Sequence, residues 1–156
     1  MIAVVKWVHL VALGVWLGSI VFFSFCVAPL VFSALPRADA GRVVSAIFPL
    51  YYYLGYGGGG IVLLTALLMR SRAAPATRTW AVSAVVAGLM LALTLYAGLV
   101  VQPRAHALRA QIEGANETAP AKVEFDRLHR LAVQLNGSVL LGTLVLAGLA
   151  SSRLRP

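Results

Sequence analysis

The sequence predicts an all-α integral membrane protein, a four-helix bundle of up-down-up-down topology. Three observations carry that reading. Four apolar stretches, at about 7–32, 50–69, 80–101 and 131–150, contain no Asp, Glu, Lys or Arg. Each is near the roughly 20 residues that cross a bilayer's hydrocarbon core. The composition agrees: 60% of the 156 residues are hydrophobic and the mean hydropathy is +0.87. A water-soluble domain of that composition would expose too much apolar surface. The spans use more than half the chain, so one transmembrane domain, 1–156, is expected, without room for a soluble catalytic domain.

The first span opens after Lys6, with Trp7 as an interfacial anchor. It reads as a retained signal-anchor, because its apolar run is too long for a cleaved leader. Gly14 and Gly18 form a small-xxx-small pair that admits a second helix closely. The helix is expected to end near Pro29, and Ser33-Ala-Leu-Pro36 to start a new element. Residues 37–48 mix Arg37, Asp39 and Arg42 with Val43, Val44, Ile47 and Phe48. That pattern predicts a short amphipathic helix at the membrane surface, or an extension of the second span.

Tyr51, Tyr52, Tyr53 and Tyr56 suggest an aromatic belt. Gly57, Gly58, Gly59 and Gly60 follow without the Lys-Ser/Thr of a phosphate-binding loop. In lipid the backbone must stay hydrogen-bonded, so this run is expected to remain helical and to offer a packing groove. A basic loop, 70–78, leads to Trp80, expected as a second interfacial anchor. The third helix can continue past Pro103 toward Ile112. A turn with Gly114 and Pro120 suits a helix cap and a helix start. The third and fourth helices thus predict a hairpin reaching beyond the membrane around 104–130. Equal offsets from its turn pair Arg109 with Glu124 in an expected salt bridge.

Even spanning puts both termini and the 70–78 loop on one side. That side holds six basic and no acidic residues; the other holds seven basic residues and all five acids. The short acid-free segments point to both termini in the cytoplasm of a bacterial plasma (inner) membrane. The net charge of +8 belongs to these flanks and to lipid headgroups. No basic run interleaved with aromatics appears, so nucleic acid is not an expected partner. The expected partners are the lipid bilayer and a second copy or another membrane protein.

No nucleophile, base and orienting group stand together, so no enzyme and no catalytic residue is expected. Cys26 reads as a small apolar side chain in a span. His9 and His129 lie near opposite membrane faces, too far apart to share one metal or haem iron. His106, His129, Glu124 and Asp126 share a side, but spacings favour a solvated ion-pair face over a metal site. Asn136 lies inside the fourth span and needs a partner. Interhelical glue is the plain reading. The alternative is a ligand pocket of His129, Asn136, Gln102 and Tyr53 near the outer helix ends.

The segments His9–Gly18, Val27–Pro36, Phe48-Pro49, Gln102-Pro103-Arg104 and Phe125–Asn136 resemble the bacterial transmembrane protein 205-like family. That resemblance implies a four-span membrane fold of unassigned activity. The His9-to-Gly18 stretch is more distantly similar to the copper-resistance D and membrane protoporphyrinogen oxidase families. Haem or copper binding is the alternative this implies, but no cofactor is expected: histidines are few and a Met-rich motif is missing.

Overall fold

The computed structural model describes residues 2–72, 77–112 and 120–152. Four long helices cross one another in sequence. The first, α1, runs Ile2–Phe22, widens into a π segment at Phe23–Val27, and resumes over Ala28–Ala34. The second, α2, is one helix, Arg37–Arg72. The third, α3, comprises Thr77–Tyr96, a π segment at Ala97–Val101, and Gln102–Ile112. The fourth, α4, is Pro120–Ser151. Each packs on its sequence neighbour, and α4 returns to α1, closing a four-membered ring. Among the described residues there is no strand.

Two prolines explain the π segments. Pro29 and Pro103 lack an N–H and their rings crowd the carbonyl four residues back. A wider turn lets the chain stay bonded: the Ala28 N–H donates to the Phe23 carbonyl, and the Gln102 N–H to that of Ala97. A span cannot leave such groups unsatisfied in lipid, and a local π turn is one remedy. Hence α1 does not stop near Pro29. It ends at Leu35, whose backbone is extended (φ −126°, ψ 151°) as the residue before Pro36 requires.

The 37–48 segment is the first part of α2 and continues through Pro49. Its buried face is Ala40, Gly41 and Val44. Asp39 lies in the first turn, where the helix dipole favours an acid, and pairs with Arg42. The ends of α3 and α4 pack together as the expected hairpin. Its tip, with Gly114, is outside the described residues; Pro120 is the first residue of α4.

Large apolar side chains point outward along all four helices, including Val4, Phe22, Leu64, Val85 and Leu141. That outward apolar coat is what a lipid solvent requires. The inside is built on Trp16, with Leu13, Ile20, Val62, Ala87 and Leu146 around it. Trp16 explains the glycine run. A Cβ at Gly58 would lie 3.0 Å from the Trp16 Cβ, and one at Gly59 3.0 Å from its ring and from Leu91. These two residues are the bed of the indole. Gly57 and Gly60 face open space.

Candidate functional site

A small cavity lies between all four helices. Its wall includes Trp16, Ser19, Tyr52, Gly55, Thr94 and Asn136. The 100° step of a helix decides which tyrosines reach it. Tyr51 and Tyr52 turn inward, whereas Tyr53, two positions on, is 69% exposed. The tyrosines therefore do not form one belt. Phe23, Phe48, Tyr51 and Tyr52 make a stack instead, with Phe23 and Tyr51 centroids 4.7 Å apart.

Asn136 is the polar centre. The Tyr51 hydroxyl donates to its Oδ1, and its Nδ2 donates to the Ser24 Oγ at 2.9 Å. One amide thus joins α4, α2 and the π segment of α1. The second π segment borders the same region. Ala97 lines the cavity, and Gly98 faces Tyr52 and Tyr56 so closely that a Cβ there would stand 2.7 Å from the Tyr52 ring. Gly55 admits Thr94 in the same way: its Cβ would be 2.9 Å from the Thr94 Cγ2.

The structure gathers different residues from those the sequence suggested. Of His129, Asn136, Gln102 and Tyr53, only Asn136 lines the cavity. His129 is exposed and stacks on Phe125, at 6.2 Å between centroids. Gln102 caps the second π segment through its backbone. Sequence reasoning missed Tyr51, Ser24, Trp16 and Thr94. The polar Asn136 was the available signal, because an amide at that depth demands a donor and an acceptor from other helices.

The expected Arg109–Glu124 bridge does not form. Glu124 is taken by Arg127 on its own helix through two bonds of 2.7 and 2.8 Å. A three-residue spacing on one helix reaches that geometry without any demand on the hairpin register. Arg127 thereby holds the Glu124 carboxyl below its ordinary range. Arg109 instead lies on Gly41, donates to Ser45 at 3.4 Å, and sits 5.4 Å from the centre of the Phe125 ring. The guanidinium thus lies between the Gly41 surface of α2 and the Phe125 face of α4.

Near the terminal side, His9 is 1% exposed and its Nδ1 lies 2.8 Å from the Thr65 Oγ1. The Thr65 hydroxyl donates its hydrogen to the Ile61 carbonyl at 2.7 Å and the Val62 carbonyl at 3.0 Å. Its oxygen can then only accept, so Nδ1 carries the proton given to Thr65. Trp80 meets the His9 ring edge to face at 5.3 Å. Being 3% exposed, Trp80 is a core residue and not an interfacial anchor; Trp7, at 66%, faces outward. Gly14 and Gly18 also face outward, with nothing within 4 Å of a Cβ at either. Among the described residues no three His, Cys, Asp or Glu side chains cluster as metal ligands would.

Fold and site together define a multi-pass α-helical membrane protein. The chain belongs to the family described as a domain of unknown function (DUF4149), whose model matches residues 11–114. It is also 50% identical over 46 residues to an uncharacterized protein of Aquifex aeolicus (strain VF5). That match covers 30% of this chain and 35% of the relative's length. No solved structure matches.

Proposed function

We propose that this chain is a non-enzymatic membrane protein that binds a small uncharged molecule in the cavity at the centre of its bundle. One observation carries the reading: Asn136, Tyr51 and Ser24 bring three helices together by side-chain hydrogen bonds beside a cavity lined by hydroxyls and aromatic rings. A concave, mostly apolar site with a few convergent polar groups is the usual form of a ligand pocket. The spans carry no Asp, Glu, Lys or Arg, and a charge at that depth is costly, so the ligand class is neutral. The bacterial plasma membrane with both termini cytoplasmic is part of the same reading, from the charge distribution of the loops. So is kinship with the transmembrane protein 205-like family, on the segments quoted above.

The test is extraction of purified protein with organic solvent and mass spectrometry of the extract. A neutral molecule should accompany the wild-type chain in near-stoichiometric amount and be depleted in Asn136→Leu. Equal recovery from both would refute the reading.

A second reading has its own observation. Gly14 and Gly18 are exposed one turn apart, with open space where their side chains would be, beside the outward Val11 and Val15. This suits close approach of α1 from a second copy of the chain. Cross-linking in mild detergent should yield a dimer that Gly14→Leu abolishes; a dimer unchanged by that substitution would count against it.

A further inference from the structure

Resting on the cavity reading above, we infer that the site is specific for a hydroxyl group, met either by water or by the hydroxyl of a small neutral molecule from the lipid phase. The inference comes from which hydrogens are already committed.

Trp16 is 1% exposed and lines the cavity. Its indole N–H is a donor only. Among the described residues no hydrogen bond engages it, although a buried indole N–H usually has an acceptor. The nitrogen faces the Gly55 wall, where an added Cβ would be 3.6 Å away. The absent side chain at Gly55 keeps that space open. Ser19 and Thr94 also line the cavity, Thr94 turning its methyl to Gly55. Ser19 donates its hydrogen to the Trp16 carbonyl at 2.8 Å, and Thr94 to the Met90 carbonyl at 2.8 Å. Both oxygens therefore present only lone pairs.

A group suited to these walls accepts a bond from Trp16 and donates to Ser19 or Thr94. Water and alcohols do both. A ketone, ester or ether accepts but cannot donate, and leaves the two hydroxyl oxygens without a hydrogen. An anion fails likewise and brings a charge into the membrane. The size agrees. The space open to the centre of a water molecule is about 20 Å³, and roughly 10–15 Å³ on that measure holds one water. The hydroxyl end of a molecule fits, beside the apolar Ile20, Leu135 and Val139 of the lining.

Indole-¹⁵N NMR of the full chain in mild detergent tests this. Three indole N–H signals arise from Trp7, Trp16 and Trp80, and Trp16→Phe assigns the middle one. Should that variant not fold, Gly55→Ala assigns it by shifting the Trp16 signal alone. The Trp16 N–H should show exchange-free magnetisation transfer from water. Titration with 1-butanol should remove that transfer and shift the signal saturably, while the exposed Trp7 reports simple partitioning. 2-Butanone, close in size but lacking a donor, should bind at least about tenfold more weakly, the worth of one good hydrogen bond. Thr94→Val with Ser19→Ala should erase the preference, and Thr94→Ser should retain it.

Water transfer alone, with no saturable alcohol shift, assigns the hydroxyl to a resident water and overturns the alcohol arm. Equal binding of 1-butanol and 2-butanone overturns hydroxyl specificity and leaves the neutral-ligand reading intact. If neither water transfer nor a saturable shift is seen, the inference falls, and the extraction experiment judges the cavity reading separately.

Discussion

Replacing Asn136 by leucine should loosen three helices at once. Asn136 accepts from Tyr51 on α2 and donates to Ser24 on α1. Interhelical side-chain bonds in membranes average about 0.6 kcal/mol, with an upper end near 1.7. Losing both should therefore cost about 1.2 kcal/mol, and at most about 3.4. Tyr51→Phe removes one of the two. In that background Asn136→Leu has only the Ser24 bond left to lose. The cycle should thus return a coupling energy of about 0.6–1.7 kcal/mol between positions 51 and 136. The assay is reversible unfolding in mixed micelles by titration with a denaturing detergent, followed by circular dichroism. Ser138→Ala is the control, because that hydroxyl bonds only to the Gln134 carbonyl of its own helix, at 2.9 Å. It should change stability by less than about 0.5 kcal/mol. Additive single variants, with coupling under about 0.3 kcal/mol, would refute the network.

Gly98→Ala should destabilise by about 1–3 kcal/mol, since Tyr52 must move to admit the methyl. Gly57→Ala should be neutral or stabilising by up to about 1 kcal/mol, as its Cβ meets nothing; the same detergent titration distinguishes them. Thr65→Val strips His9 of the oxygen that accepts from Nδ1 and should cost about 1–3 kcal/mol, whereas Thr65→Ser should retain most stability. The Glu124 carboxyl, held down first by its hydrogen bonds to Arg127, should titrate below the ordinary 4.5. A lowered folded-state pKa means the pair's contribution is complete above 4.5 and is lost as pH falls through the lower folded value. Carbon-13 NMR of the carboxyl should show the midpoint rise in Arg127→Gln; an unchanged midpoint would contradict the pairing.

The four spans were legible because their signal is local: apolar length and the lack of charge are read without knowing any partner. The continuation of α3 past Pro103 was readable in the same way. The passage of α1 through Pro29 was not, because the remedy is a change of helical pitch that no residue pattern announces. The inward turn of Tyr51 and Tyr52 and the outward turn of Tyr53 follow from helical spacing once one of them is placed. Which one is placed depends on Asn136, 85 positions later. The glycine run looked uniform, yet only Gly58 and Gly59 touch Trp16, because the indole covers one face of α2. Arg109 escaped its expected partner because equal offsets about a turn fix height along a hairpin and leave rotation undetermined.

Each π segment accommodates one residue more than an α-helical turn of the same rise. Every position beyond it is therefore swung about 100° around the axis relative to an uninterrupted helix. In α1 this separates surfaces that a simple helical wheel would merge: Phe32, five full turns after Gly14 and so on its stripe in an uninterrupted helix, is turned off that stripe. Deleting a single residue from Phe23–Val27 would remove that surplus and return the segment to α-helical pitch, while the far end of the helix keeps its present facing.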